Sequence, residues 1–594
     1  MDVLLVGHRG SGKSTLGAAA ARLLHAEHLD LDAHIEAATG LSPAQHLARD
    51  HAAFRRLELE SLAHLTLNPG DAPLRIITPG AGIQQLPAWS LIIWIWRDGW
   101  EQTALTERAR LRPDLAWDDE VAWMRATREP RWAAAAHLRL DISRGRTPDR
   151  AALQLAHLIR WTLSLPASPT AQRTWIVPAN PDQLTRAASD ATLLGVAGLE
   201  LRSDLIPEPP KLTLPTLMSL RHADPMWLVD HAQHAAMIDL DLNTLDPDGT
   251  CPALDHLSPR PLLLSAHPPA GSSTTLAALH AAAERLAKAH PRWADHLQLK
   301  YAPTPASLAE LDTLLAELDA QPTPYPTTFL PQGRRFAWLR PWLMARGNQT
   351  NYLPAGLSPA RVGGAPAPTP WDLQDWLPHL CGAPERFDML IGDPVDASAG
   401  DWWHRAAALA EGDPRSSYVK APLPADADDA EWAALLRIMD RVGIRGVSVT
   451  APHKQRVLTL PDVQNPHALT AANTLVRDGA DSWIAHDTDE IGMTAALAHL
   501  EAAGVAPGEA AVMGRGGVSP AVLRALAASG WRVTTHASAR EGWPADISPV
   551  TLIVQASGDH DCATAGAPAC EAWLDLHYQG VAAPGPGALH INGD

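Results

Sequence analysis

Long apolar runs are missing from this 594-residue chain, so no segment reads as a bilayer-spanning helix. Cysteine is scarce. The four present, Cys251, Cys381, Cys562 and Cys570, form no CxxC pair, which argues against a disulfide framework or a thiolate zinc site and for a reducing, cytoplasmic setting. No basic leader precedes "MDVLLVG", so no secretory signal is expected. Positive charge is in deficit: the net charge of −18 argues against a broad nucleic-acid surface, although local arginines remain able to bind small anions. Phenylalanine (4) and tyrosine (5) are few beside 22 tryptophans, which we read as a habit of composition without functional content. No short-period repeat occurs, so a solenoid is not expected.

What is present is length enough for three domains. Two stretches rich in Pro, Ala or Gly, near 163–174 ("LSLPASPTAQRT") and 363–373 ("GGAPAPTPWDL"), read as junctions. They suggest units at 1–165, 172–380 and 385–594, the last dividing into 385–495 and 496–594. Throughout, short apolar runs such as "RIITPG", "HLQLKYA" and "DMLIGDP" alternate with Ala/Leu-rich helical segments. That alternation predicts an α/β fold with mainly parallel sheets and sites at the carboxyl ends of strands.

In the first unit, "GHRGSGKST" follows an apolar strand and precedes a helical segment. Gly7, Gly10 and Gly12 let main-chain N–H groups turn toward phosphate oxygens, Lys13 reaches the transferred phosphate, and Ser14 and Thr15 open the helix, Ser14 ligating Mg²⁺. Asp30 and Asp32 in "HLDLDAH" read as one face of a strand, where one carboxylate can hold the metal shell while the other accepts from a substrate hydroxyl. "FRRLELE" places Arg55 and Glu58 at helical spacing. "TPGAGI" offers Gly80 and Gly82 for close approach, and Arg112 and Arg128 suit phosphate and carboxylate. Taken in order, these segments resemble shikimate kinase. The resemblance implies a P-loop α/β/α sandwich using ATP and Mg²⁺. Asp32, Arg55, Gly80, Gly82 and Arg128 would then hold shikimate, and Arg112 would close over ATP. Ala81 stands where that family has a middle glycine.

The second unit carries Glu200 and Arg202 in "GLELRSD", Arg221 at a strand end, His267 after "LLLSA", Lys300 in "LQLKY", and Arg340. A lysine on an apolar strand is costly unless it serves a purpose; desolvation and neighbouring cations can free its amine to attack a carbonyl, and a nearby histidine can move the proton. The ordered set resembles type I 3-dehydroquinate dehydratase, which implies a (β/α)₈ TIM barrel with Lys300 as the imine lysine and His267 as acid/base. Glu200, Arg202, Arg221 and Arg340 would then bind substrate. Pro225 stands where the family has a glutamate.

The third unit has Thr450 and Lys454 in "GVSVTAPHK", Asn473 in "AANTLV", Asp489 in "AHDTDEIG", and a strand–turn–helix "AAVMGRGGVSP" with Gly514, Gly516 and Gly517. A Lys–Asp pair bridging a hydroxyl can relay a proton as hydride moves to a nicotinamide. The order resembles shikimate dehydrogenase, a two-lobed α/β fold with a Rossmann NAD(P)-binding lobe. The resemblance implies Lys454 and Asp489 as the catalytic pair, with Ser398, Thr450, Asn473 and Tyr578 around shikimate. "HAS" replaces the family's Asn-Arg-Thr clamp, with Arg540 nearby, so NADP or NAD is left open and weak discrimination is expected.

Kinase, dehydratase and dehydrogenase in this order resemble the last three domains of the pentafunctional arom polypeptide. The substrates implied are 3-dehydroquinate, 3-dehydroshikimate and shikimate, with no nucleic-acid or membrane partner; a homo-oligomer is left open. The alternative is a quinate-repressor-like regulator that binds the same metabolites.

Overall fold

The computed structural model describes residues 1–68, 72–87, 90–97, 99–101, 104, 112, 114–142, 148–164, 168–221, 224–272, 274–320, 324–355, 384–395, 398, 400–413, 415–479, 482–538, 542, 549–557, 570–576 and 589–592. Among these residues the strands form four sheets. The first contains β1 (Asp2–Val6), β2 (Glu27–Asp30), β3 (Arg75–Thr78), β4 (Leu91–Trp96) and β5 (Leu138–Asp141) in the order β2-β3-β1-β4-β5, all parallel. β1 is central and buried, which is why it reads as the unbroken apolar run DVLLV. Its Val3 and Leu5 pack with Leu16 and Leu155 from two helices. Leu4 and Val6 face the other way, toward Phe54, Leu62 and Trp132.

The second sheet holds β6 (Thr174–Val177), β7 (Gly198–Arg202), β8 (Thr216–Leu220), β9 (Met237–Asp241), β10 (Leu262–Ala266), β11 (Leu297–Tyr301), β12 (Thr327–Phe329) and β13 (Asn351–Pro354). Neighbours run in chain order, and β13 pairs in parallel with β6, so the last strand returns to the first. Asn348, just before β13, bonds both main-chain groups of Phe329 on β12 at 3.0 and 2.8 Å. Helices follow β6, β8, β10, β11 and β12. The alternation expected of a (β/α)₈ barrel is broken after β7 and β9, where the described residues form a loop and 3₁₀ turns. The cause is local: "IPEPPKLTLP" and "DPDGTCP" contain prolines that remove helical donors.

The third sheet is mixed: β14 (Arg386–Gly392), β15 (Ser416–Pro422), β16 (Ile444–Val449), β17 (Val463–Gln464), β18 (Thr474–Asp478) and β19 (Ser482–His486) run in the order β15-β14-β16-β18-β19-β17. β18 is antiparallel to both its neighbours. The fourth sheet is parallel, with β20 (Glu509–Met513), β21 (Arg532–Ala537), β22 (Leu552–Gln555), β23 (Ala572–Asp575) and β24 (Leu589–Asn592) in the order β21-β20-β22-β23-β24. One apolar cluster runs through the first three sheets, whereas the fourth has its own, built on Met493, Leu497 and Leu500 of the helix Asp489–Ala502. Among the described residues no helix is long and apolar enough to cross a membrane.

Candidate functional sites

At the end of β1, Gly10 and Gly12 take φ values of +80° and +82°, a left-handed conformation that suits glycine. Lys13, first residue of the helix Lys13–Leu24, donates to the carbonyls of Gly7 (2.9 Å) and His8 (3.1 Å). Ser14 and Thr15 lie exposed in the same first turn. This loop fits a phosphate chain: a Cβ on Gly7 would strike the Ile95 carbonyl, and one on Gly12 would meet only Ile142 Cδ1, at 3.9 Å.

Beside it, Asp32, Arg55, Glu58, Gly80 and Gly82 converge. A Cβ on Gly80 would come within 2.6 Å of Glu58 Oε1 and 3.0 Å of Asp32 Oδ1, and one on Gly82 would collide with the Arg55 guanidinium. Arg55 pairs with the buried Glu58, whose carboxyl is pushed up by burial against the pull of Arg55. Arg128, 6% exposed, is lowered to about 10 by burial and by the Arg55 and Arg9 charges. Its Nη1 is buried with no protein acceptor, which leaves a donor for an anion.

One expectation changes here. Asp30 and Asp32 do not share a strand: β2 stops at Asp30, whose Oδ1 caps the next helix by accepting from Asp32 N (3.1 Å) and Ala33 N (3.2 Å), and Asp32 lies in the first helical turn. Arg112 ion-pairs with Asp114 (2.6 Å) and lies over Trp123, the ring that Arg128 also approaches. His8 was not expected. Its buried ring stacks on Trp100 (3.9 Å, 3°) and contacts Glu129 Oε1 at 2.9 Å, next to Arg128. A histidine inside a glycine-rich loop was the only signal for it.

Inside the second sheet, Lys300 is 3% exposed and ion-pairs with the fully buried Asp239. Its Nζ lies 3.3 Å from the Tyr352 hydroxyl and 4.7 Å from that ring's centroid. Arg221 donates to Asp239 at 2.7 Å. Burial alone would raise the Asp239 carboxyl, but Arg221 and Lys300 overcome it and hold it far below the usual carboxylate range. Burial lowers Lys300, assisted by Arg221 and opposed by Asp239.

His267 places Nδ1 at 3.2 Å from Asp241 Oδ2 and Nε2 at 3.5 Å from Arg221 Nη2. The Asp241 carboxylate can only accept, so Nδ1 carries the proton and Nε2 keeps its lone pair. Burial lowers His267 to about 4, with the Arg221 charge acting in the same direction and the Asp241 bond against both. Glu200 accepts from Ser219 Oγ at 2.6 Å in the same interior. Arg202, the last residue of β7, turns instead to Asp204 at 2.7 Å. Arg340 is wholly buried at the start of a short helix and lowered to about 10 by burial. Sequence reasoning missed Asp239 and Asp241. The period-two acids in "MIDLDL" were the available signal, since both then face one side of β9.

In the third region Lys454 Nζ donates to Asp489 Oδ2 at 2.6 Å, and Asn473 Nδ2 donates to Asp489 Oδ1 at 2.8 Å. Thr450 follows β16, and Ser398 Oγ accepts from Gly400 N at 3.1 Å. Lys420, also unforeseen, donates to Ser398 O at 3.2 Å. Gly514 has φ +133° and sits against the Ala556 carbonyl, leaving no room for a Cβ. Gly516 borders open space, and a Cβ on Gly517 would meet Lys454 Cδ at 3.2 Å. The glycine-rich turn is thus open for a pyrophosphate and abuts the Lys454–Asp489 pair. Tyr578 and Arg540 lie outside the described residues.

Residues 9–159 match the family model of shikimate kinase, and residues 390–475 match that of the shikimate dehydrogenase substrate binding domain. The chain is 38% identical over 147 residues to shikimate dehydrogenase (NADP(+)) from Sphingopyxis alaskensis, covering 24% of this chain and 50% of the relative. It is 32% identical over 189 residues to the enzyme of that name from Rubrobacter xylanophilus, covering 29% and 64%. The chain spans about half the length of most of the curated relatives it matches. Among solved structures, shikimate kinase from Acinetobacter baumannii in complex with shikimate aligns at 25% identity over 27% of this chain and 92% of that one, with a TM-score of 0.24. Two segments of the chain are therefore similar to enzyme families of the shikimate pathway, a kinase and a dehydrogenase.

Proposed function

We propose that the chain performs three successive steps: dehydration of 3-dehydroquinate, reduction of the resulting 3-dehydroshikimate, and phosphorylation of shikimate, carried by units 172–380, 385–594 and 1–165. One observation carries this reading. Lys13, Lys300 and Lys454 each stand at or beyond the carboxyl end of a strand, beside groups suited to a small hydroxylated ring acid.

In the kinase step, ATP with Mg²⁺ supplies the phosphoryl group; Ser14 and Asp30 are the candidates to hold the metal. Arg128 and Arg55 bind the acceptor's carboxylate and hydroxyls, Asp32 orients the attacking hydroxyl, and Lys13 neutralises charge as it develops. In the dehydration, the Lys300 amine condenses with the ring ketone and releases water. His267 Nε2 removes the adjacent carbon-bound proton and returns it to the departing hydroxyl, which leaves as a second water; one water then hydrolyses the imine, freeing the ketone product and the Lys300 amine, so that the net loss is a single water. In the reduction, NADPH or NADH supplies hydride while the Lys454–Asp489 pair delivers a proton to the carbonyl oxygen, with Ser398, Thr450 and Asn473 around the ring. A regulator that merely binds metabolites has no use for a desolvated lysine beside a histidine base, which favours the enzyme over that alternative.

The test is a single incubation of the purified chain with 3-dehydroquinate, NADPH and Mg-ATP, followed by mass spectrometry. We expect 3-dehydroshikimate, shikimate and shikimate 3-phosphate to accumulate in that order. Binding of these acids without turnover would instead establish the regulator.

A further inference from the structure

Three acids crowd the start of the helix Asp489–Ala502: Asp487 just before it, then Asp489 and Glu490 in its first turn. Thr488 stands at the cap position, but its side chain caps no main-chain donor. Asp487 supplies the acceptor instead, its Oδ1 taking the Asp489 N–H at 3.1 Å. Its second oxygen, Oδ2, accepts from Arg524 Nη2 at 2.8 Å, and Arg524 Nε donates to Glu490 Oε2 at 2.6 Å. One planar guanidinium thus bridges two of the acids, which a single ammonium could not do with the same geometry. The Asp487 side chain is 7% exposed, so the pair is screened little even though Arg524 itself reaches solvent.

Arg524 lies on the helix Ser519–Ala528, which follows the glycine-rich turn. From the opposite side Asn473 holds the same acidic segment: Nδ2 donates to Asp489 Oδ1 at 2.8 Å, and Oδ1 accepts from Thr488 N at 2.9 Å. Asp489 is therefore gripped from two frames. The third sheet reaches its carboxylate through Lys454 and Asn473. The helix of the glycine-rich turn reaches its main chain through Arg524 and the Asp487 carboxylate.

We propose that Arg524 is a positioning residue for the reduction. It fixes the first turn of the helix Asp489–Ala502 to the helix of the glycine-rich turn, so that the Lys454–Asp489 pair keeps its register with the nicotinamide cofactor. The inference rests on the reductase reading above. Displacing a reacting group by about 1 Å can cost about 10²-fold in rate, so the effect belongs to the chemical step and not to binding.

The test follows oxidation of NADPH or NADH by 3-dehydroshikimate on the full chain. Arg524→Gln should lower kcat about tenfold or more while the KM values for both substrates stay within about twofold. Arg524→Lys should recover part of the rate, because an ammonium can still pair with Asp487. Asp487→Asn should lower kcat by a similar factor, and adding Arg524→Gln to it should cost less than about twofold more, since both changes cut one path. Thermal midpoints check that the helix stays docked. An unchanged kcat in Arg524→Gln, losses that multiply in the double variant, or a rise in both KM values with a lowered midpoint overturns the positioning role. Absence of turnover by the wild type with either cofactor overturns the reductase reading itself, and this role with it.

Discussion

His267 keeps a lone pair on Nε2 because Asp241 accepts from Nδ1, and the resemblance gave no reason to expect an aspartate there. Pro225 occupies the position of the anticipated carboxylate and cannot supply one, whereas Asp241 reaches the ring from the end of β9. With its pKa lowered to about 4, His267 is neutral across the ordinary range and loses its basic nitrogen only as the pH falls toward that value. For the proposed dehydration, kcat should therefore hold a plateau through neutrality and fall on the acid side. Asp241→Asn should lower the plateau by about 10²-fold, the usual worth of an oriented base, and shift the acid limb to lower pH, because the bond that favours the charged ring is gone. Asp241→Glu should retain most of the rate, and borohydride should still trap substrate on Lys300 in both. A full pH–rate profile checks this; an unchanged profile in Asp241→Asn removes Asp241 from the chemistry. Contiguous signals were legible in the sequence, as with Lys13 in its loop. Asp239 and Asp241 were not, because an acid on an apolar strand gains meaning only when Arg221, Lys300 and His267 arrive from other strands.

The helix Trp117–Ala135 links the candidate acceptor site to the neighbouring sheet. It carries Arg128 and Glu129, and its last carbonyls are capped from outside: Arg186, on the helix after β6, donates to Ala134 O (2.7 Å) and to Ala136 O while bonding the buried Asp190 at 2.7 Å. A positive group at a helix carboxyl end is stabilising in itself. Arg186→Met should destabilise the chain by about 3 kcal/mol, mainly by leaving Asp190 buried without its cation. In the proposed kinase step it should also raise the KM for shikimate more than that for ATP, because Arg128, the proposed carboxylate ligand, rides on the uncapped helix. Denaturant titration and the two KM values check the pair of effects. The strands of the first sheet were legible at this scale because their apolar runs are unbroken. The D-x-D strand was misread because a capping aspartate and a strand aspartate look alike until the helix after it is seen, and the missing helices after β7 and β9 were signalled only by their prolines.

At the scale of the whole molecule, the helix Leu308–Ala320 faces the helix Asp429–Val442 across the boundary between the second and third sheets. Asp312 pairs with Arg437 (2.6 Å), Asp319 with Arg441 and Arg346, and Glu431 with Arg335 while accepting from Leu308 N at 3.0 Å. No sequence signal marked this seam, since each helix alone reads as an ordinary charged face. Exposed pairs contribute little singly, about 0–1 kcal/mol each, but here they share acceptors and sit over a continuous apolar cluster. Calorimetry should show the second and third sheets melting together, and Arg437→Ala with Arg441→Ala should split that transition in two. A single unchanged transition in the double variant would show the apolar contact to be sufficient. The fourth sheet stands apart from this continuity. Its cluster is completed by the helix that begins at Asp489, so that helix travels with the fourth sheet while Lys454 stays with the third. Any outward pivot of the lobe must pull the two partners apart. For the proposed reduction, proton delivery would therefore depend on the third and fourth sheets holding the Lys454–Asp489 contact together.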